Sequence, residues 1–211
     1  MDLISGRAPF VGKLTQAWPR SVGHIARGSG TGPWFGIPLR QGTKLTGDAL
    51  ASGLKTPLFP FAFGLQPGAE FRFSDFELSA KAVSRTATVT ATVTVANSGT
   101  QRSAATVQLY YSPPIAPGGV MRFARRLVSF ERVWLDPAAS ERVSLAFDVA
   151  EALGRYDEFC REWHGDASCA PGWVTDPGIY GLHVGDCCVS GVVNSTETCT
   201  NQISTTLRVA E

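Results

Sequence analysis

The chain has 211 residues, 44% of them hydrophobic and 18% charged, with a formal net charge of +1. That length allows one large domain, or a domain with part of another, and the near-neutral balance gives no reason to expect nucleic acid or another polyelectrolyte as partner. No stretch reaches the ~20 consecutive apolar residues of a membrane helix, while 22 Gly and 13 Pro with few charges favour turn-rich β structure.

Residues 1–56 are irregular. The opening MDLISGRAPF carries an acid at position 2 and no apolar h-region, so it does not read as a signal peptide. Further on, GHIARGSGTGPWFG (23–36) has five glycines in fourteen residues and no amphipathic period. Its GSGTG is followed by Pro33-Trp34, not by the helix and Lys-Ser/Thr of a phosphate loop. The next segment, PLFPFAFGL (57–65), is apolar without a period of 2 or 3.6 and reads as a connector.

From about residue 70 the pattern becomes that of strands. FRFSDFELS (71–79) is the first, and ATVTATVTVA (87–96) the clearest, with Val89, Ala91, Val93 and Val95 on one face and threonines on the other. NSGT (97–100) supplies a turn, and Ala105, Val107, Leu109 and Tyr111 share a face of the next strand, which Pro113-Pro114 ends. Arg122, Arg125 and Arg126 lack interleaved aromatics and read as a solvated loop.

RRLVSFERVWL (125–135) is apolar on both alternations, as a central or twisted strand would be, and Asp136-Pro137 breaks it. Val143, Leu145, Phe147 and Val149 alternate again, with a helical turn expected around Val149–Leu153. After Asp176-Pro177-Gly178, Tyr180, Leu182 and Val184 form another strand, which leaves His183 facing solvent. Ile203, Thr205, Leu207 and Val209 form the last. Seven short alternating strands over ~140 residues predict an all-β fold, an antiparallel two-sheet sandwich.

All five cysteines, Cys160, Cys169, Cys187, Cys188 and Cys199, lie in one late stretch with an Asn194-Ser195-Thr196 sequon. Clustering of this kind points to an oxidising compartment. Cys160 with Cys169, and Cys187 or Cys188 with Cys199, are disulfide candidates that leave one cysteine over. The alternative, a metal held by Cys160, His164 and Cys169, lacks the tight paired spacing of zinc sites, so no metal or other cofactor is expected.

With the strands laid out, several segments in order resemble glycoside hydrolase family 3. WPRSVGHI (18–25), led by GKLTQ (12–16), is similar to a signature late in the family's α/β sandwich domain, and PLFPFAFGL to the connector that follows it. The stretches at 93–114, 127–149 and 176–185 resemble strands of the family's fibronectin type III-like domain. Ala62 and Phe63 depart from the usual Gly and Tyr of the connector, and the 155–175 stretch is longer than usual.

The resemblance implies three parts: 1–56 as the end of an α/β sandwich domain, 57–69 as interdomain connector, and 70–211 as the fibronectin type III-like domain. It further implies that Leu58, Phe59, Phe61 and Phe63 pack in an interdomain seam. The partners would be an upstream (β/α)8 barrel and the rest of the sandwich domain, in a secretory or extracellular β-glucosidase- or β-xylosidase-like enzyme.

No catalytic residue carries over. Ser74-Asp75-Phe76 superficially matches a nucleophile motif, but its context is the first strand of the sandwich, where Asp75 reads as a surface aspartate. Glu151, Asp157, Glu158 and Glu162 have no apolar pocket to separate their pKa values and read as structural or solvated carboxylates. His24, in the signature loop, and the aromatics Trp34, Phe35, Trp163 and Trp173 are candidate contacts to sugar, a β-linked glucan or xylan. The principal expectation is a non-catalytic scaffold and docking region, inactive alone. A free-standing carbohydrate- or protein-binding module is the alternative, and a small enzyme built on the Cys/His cluster a third reading.

Overall fold

Alternation decides which side chains go inside. In the computed structural model of the protein, residues 2–5, 7–14, 59, 64, 68–114, 125–158, 168, 170–186 and 202–210 are described. They contain β1 (Phe71–Leu78), β2 (Ala82–Val83), β3 (Thr88–Asn97), β4 (Ser103–Ser112), β5 (Arg126–Leu135) and β6 (Ser140–Asp148). After these come α1 (Val149–Leu153), β7 (Arg155–Asp157), β8 (Gly172–Val174), β9 (Gly178–Gly185) and β10 (Gln202–Val209). The seven expected strands are all present, and β2, β7 and β8 are short additions.

Two sheets face each other. One has the order β1-β3-β6 and the other β2-β10-β9-β4-β5, with β7 and β8 as a separate pair. All pairings are antiparallel except β2 with β10. Val89, Val93 and Val95 of β3 meet Val107 and Leu109 of β4 and Leu182 of β9 in one buried cluster. Each such side chain contributes roughly 1.5–3 kcal/mol by leaving water.

Two of the connections between the sheets share one residue. Asn97 is buried; its Nδ2 donates to the carbonyls of Gln101 (2.9 Å) and Leu135 (3.1 Å), and its Oδ1 accepts from Gly99 N–H (3.0 Å). Its backbone N–H donates to Ala139 and its carbonyl accepts from Ala138, both at 2.9 Å. The Asn of NSGT thus does more than start a turn: it joins the β3–β4 and β5–β6 connections. Gly99 is required there by space, since a Cβ would sit 2.4 Å from the carbonyl oxygen of Gly68. The N–H groups of Thr100 and Gln101 donate to that same carbonyl, at 2.8 and 3.0 Å, so the end of the connector is fastened to the turn.

Two readings need correction. RRLVSFERVWL is not a central strand: β5 is the last strand of its sheet, paired with β4 on one side. Its double-sided apolar character leaves Leu127, Phe130 and Trp134 exposed. Arg125 and Arg126 are not simply solvated. Arg125 donates to Gln202 Oε1 (2.7 Å), and Arg126 donates to the Gly154 carbonyl (3.2 Å) with its guanidinium 6.0 Å from the Tyr111 ring centroid; Arg122 lies outside the described residues.

Three smaller expectations hold. The helical turn is α1, capped by Asp148, whose Oδ1 accepts from Glu151 N–H (3.1 Å), so Val149 belongs to the helix and not to β6. Asp75 is an exposed residue with φ of 52° where the β1 register shifts. Asp157 is a structural carboxylate, buried and 2.7 Å from Arg155.

Candidate interdomain docking face

Both faces of β4 are buried, and they differ in chemistry. Ala105, Val107, Leu109 and Tyr111 point into the core, whereas Ala104, Gln108 and Tyr110 point the other way and are buried too, Tyr110 to 2% exposure. Register builds this outer face row by row. Leu127, Tyr110, His183 and Ser204 lie abreast, and beside them Phe130, Gln108, Gly185 and Gln202.

The polar groups of the face are satisfied by one another. Tyr110 hydroxyl donates to Gln108 Oε1. The His183 ring nitrogens lie 2.9 Å from Ser112 Oγ and 2.8 Å from Ser204 Oγ, so a neutral imidazole donates to one serine and accepts from the other. His183 therefore does not face open solvent, as alternation alone implied; it is wedged between β4 and β10. Burial, with the Arg125 guanidinium nearby, pushes its pKa down to about 4.

The N-terminal segment reaches this same sheet. Lys13 Nζ lies 3.8 Å from Asp186 Oδ2 at the end of β9, with the two side chains 12% and 15% exposed. Burial raises the Asp186 pKa, and the Lys13 ammonium pulls it back without cancelling that effect. The connector joins in: a Cβ on Gly64 would lie 2.7 Å from the Gly12 carbonyl oxygen and 2.7 Å from Lys13 Cδ. Gly12 and Lys13, and Gly64 of the apolar stretch, are thus brought together beside the sandwich. Beyond the covered part of the face, Phe130 (63% exposed) and Trp134 continue it into solvent along β5, with Arg102 and Arg132 5.3 and 5.4 Å from the Trp134 ring centroid.

Of the seam residues proposed from sequence, Phe59 is half-buried. Leu58, Phe61 and Phe63 lie outside the described residues, as do His24, Trp34, Phe35, Trp163, the five cysteines, His164, Glu162 and Asn194. Among the described residues no group of three His, Cys, Asp or Glu is placed to hold a metal. Trp173 is 73% exposed on β8, opposite Tyr156 of β7. Sequence reasoning missed Lys13, Gln108, Tyr110, Asp186 and Tyr156. The double aromatic of QLYYS (108–112) was the available signal for β4, because an outward Tyr next to an inward one asks for cover on both sides.

Residues 105–187 match the fibronectin type III-like domain family, so the class of the molecule is that of a fibronectin type III-like β-sandwich. Among curated proteins, the chain is 35% identical over 59% of its length to a probable β-glucosidase J of Neosartorya fischeri. It is 33% identical over 73% to a β-xylosidase of Formosa agariphila, and 33% identical over 72% to a periplasmic β-glucosidase of Salmonella typhimurium. A solved β-glucosidase from Listeria innocua in complex with glucose shares the fold, with a TM-score of 0.72 at 21% identity over all of this chain and 26% of the other. Over this region the chain is thus similar to β-glucosidases and a β-xylosidase, in agreement with the resemblance to glycoside hydrolase family 3 read from its motifs. It spans 14%, 20% and 19% of the lengths of the three curated relatives.

Proposed function

We propose that the chain is the non-catalytic C-terminal scaffold and docking region of a family 3 β-glycosidase. The parent would hydrolyse O-glycosyl bonds in β-glucosides or β-xylosides, with its two catalytic carboxyl groups on an upstream barrel. In this reading residues 1–56 close an α/β sandwich domain, 57–69 connect, and 70–211 form the fibronectin type III-like domain on which the others rest. The observation that carries it is the part-buried Lys13–Asp186 pair, with Gly64 against Gly12, which holds residues 12 and 13 at the β9 end of the sheet. A secretory or extracellular parent fits the clustered cysteines and the Asn194 sequon, and one relative is itself named periplasmic.

The test has two arms. The 211-residue chain alone is expected to hydrolyse neither aryl β-glucosides nor aryl β-xylosides; turnover abolished by a point change within it would overturn the reading. In the parent enzyme, Lys13→Asp and Asp186→Lys are each expected to lower the midpoint of thermal inactivation, and the double reversal to restore much of it. Equal, additive losses would remove the pair as a docking contact.

A further inference from the structure

The β7–β8 pair stands apart from both large sheets and carries the most exposed aromatic among the described residues. Tyr156 and Trp173 are directly opposite across the pair, and their rings meet edge to face with centroids 5.8 Å apart and planes at 75°. They are 54% and 73% exposed. Water wets more than half of each residue, at a cost that burial in a core would avoid.

The pair is held firmly from beneath. Arg155, its side chain mostly buried, lies 2.7 Å from Asp157 Oδ2 and grips Asp176 with Nε and Nη2 at 3.0 and 3.2 Å. The Asp176 carbonyl in turn accepts from the hydroxyl of Tyr180, a fully buried residue of β9. A continuous chain of bonds thus runs from the core to the strand that bears Tyr156. On the other strand, Trp173 Cε3 would lie only 3.7 Å from a Cβ on Gly154, so the indole edge rests against a residue with no side chain to cover it. The strands that bear the two rings are thus tied to the core, and each ring rests against the other, which lowers the ordering cost of binding a ligand.

We propose that Tyr156 and Trp173 form a stacking platform for a β-linked glucan or xylan chain. Two exposed rings fit the flat, C–H-lined face of a pyranose, and the flanking Glu158 carboxylate, also exposed, is of a kind that accepts from sugar hydroxyls. The ligand class rests on the glycosidase reading above; the platform itself rests on the geometry of β7 and β8.

The experiment is affinity electrophoresis of the full 211-residue chain through gels containing soluble β-1,4-xylan, a soluble β-glucan, or neither. Retardation is expected in at least one polysaccharide gel, weakened about tenfold or more in Trp173→Ala and reduced in Tyr156→Ala. Trp134→Ala, which removes an exposed tryptophan elsewhere, is expected to bind as the parent chain does. Near-native circular dichroism and melting of each variant separate lost binding from lost fold, and Trp173→Phe, which keeps a flat ring, is expected to retain most of the retardation. Unchanged mobility of the wild-type chain in both gels overturns the platform, as does equal loss in Trp134→Ala. Either result leaves the Lys13–Asp186 test untouched, so the platform and the scaffold reading fail separately.

Discussion

The two sides of β4 are both dry, but only one of them is greasy. On the inner side, Val107 and Leu109 have no exposure and meet aliphatic side chains of the opposite sheet. On the outer side, Gln108 and Tyr110 are almost as deeply buried yet bond to one another, and His183 beside them bridges two serines. An inner face of this sort holds a sandwich together through area alone. An outer face of the second sort must match donors to acceptors within the sheet itself; a buried polar group left without its partner costs about 1–3 kcal/mol. The inner side is the core of the sandwich, and the outer side is the sheet that the N-terminal segment reaches through Lys13 and Asp186.

The comparison is broken most forcefully from the inside. Leu109→Ala is expected to destabilise the chain by about 3 kcal/mol, read as a lower denaturant midpoint at unchanged slope. A loss below the effect of Tyr110→Phe would mean that the polar face, not the aliphatic one, holds the sheets.

The outer face is tested by acid. His183 is held near pKa 4 when folded against an ordinary 6.5, so the folded state binds fewer protons than the unfolded chain between those values. Its neutral form is fully accommodated above about pH 6.5, and stability falls as pH drops from there towards 4. Asp186 works in the opposite sense, because its raised pKa favours proton uptake in the folded state at acid pH. The melting temperature of the wild-type chain is therefore expected to fall between pH 6.5 and 4, and His183→Gln to flatten that fall. Identical profiles would show that the imidazole is not confined as its two serine contacts imply.

The mildest change sharpens the same contrast. Ser103 is the polar intruder on the inner alternation of β4, and among the described residues its Oγ has no hydrogen-bond partner. Ser103→Ala is expected to be neutral or to stabilise by up to about 1 kcal/mol, whereas a marked loss in the urea midpoint would reveal a bond at that hydroxyl.

How much of this was legible depends on which side of a strand is considered. The inner faces could be read directly, since Val89, Ala91, Val93 and Val95 alternate with threonines through 88–95. The outer face could not, because Gln108, His183 and Asp186 are residue types that also suit solvent, and only their partners across β9, β10 and the N-terminal segment show otherwise. RRLVSFERVWL misled for a related reason: an apolar residue on each side of a strand implies two covers, yet Phe130 and Trp134 lie uncovered at the sheet margin. At β7 and β8, three residues each are too few to show a period. Trp173 therefore stood out as an aromatic in a loop, while its cross-strand partner Tyr156 did not.

The register shifts in β1 and β5 bear on the behaviour of the chain in crowded solution. Each of these strands is outermost in its sheet, and each departs from regular pairing, at Ser74–Glu77 and at Ser129–Leu127. A foreign strand arriving at either margin meets a kinked ladder, and at β5 also the charges of Glu131 and Arg132. Fibrillar growth needs an unbroken, flat template, and neither margin offers one. Along these two margins the sandwich is thus guarded against edge-to-edge pairing with other chains.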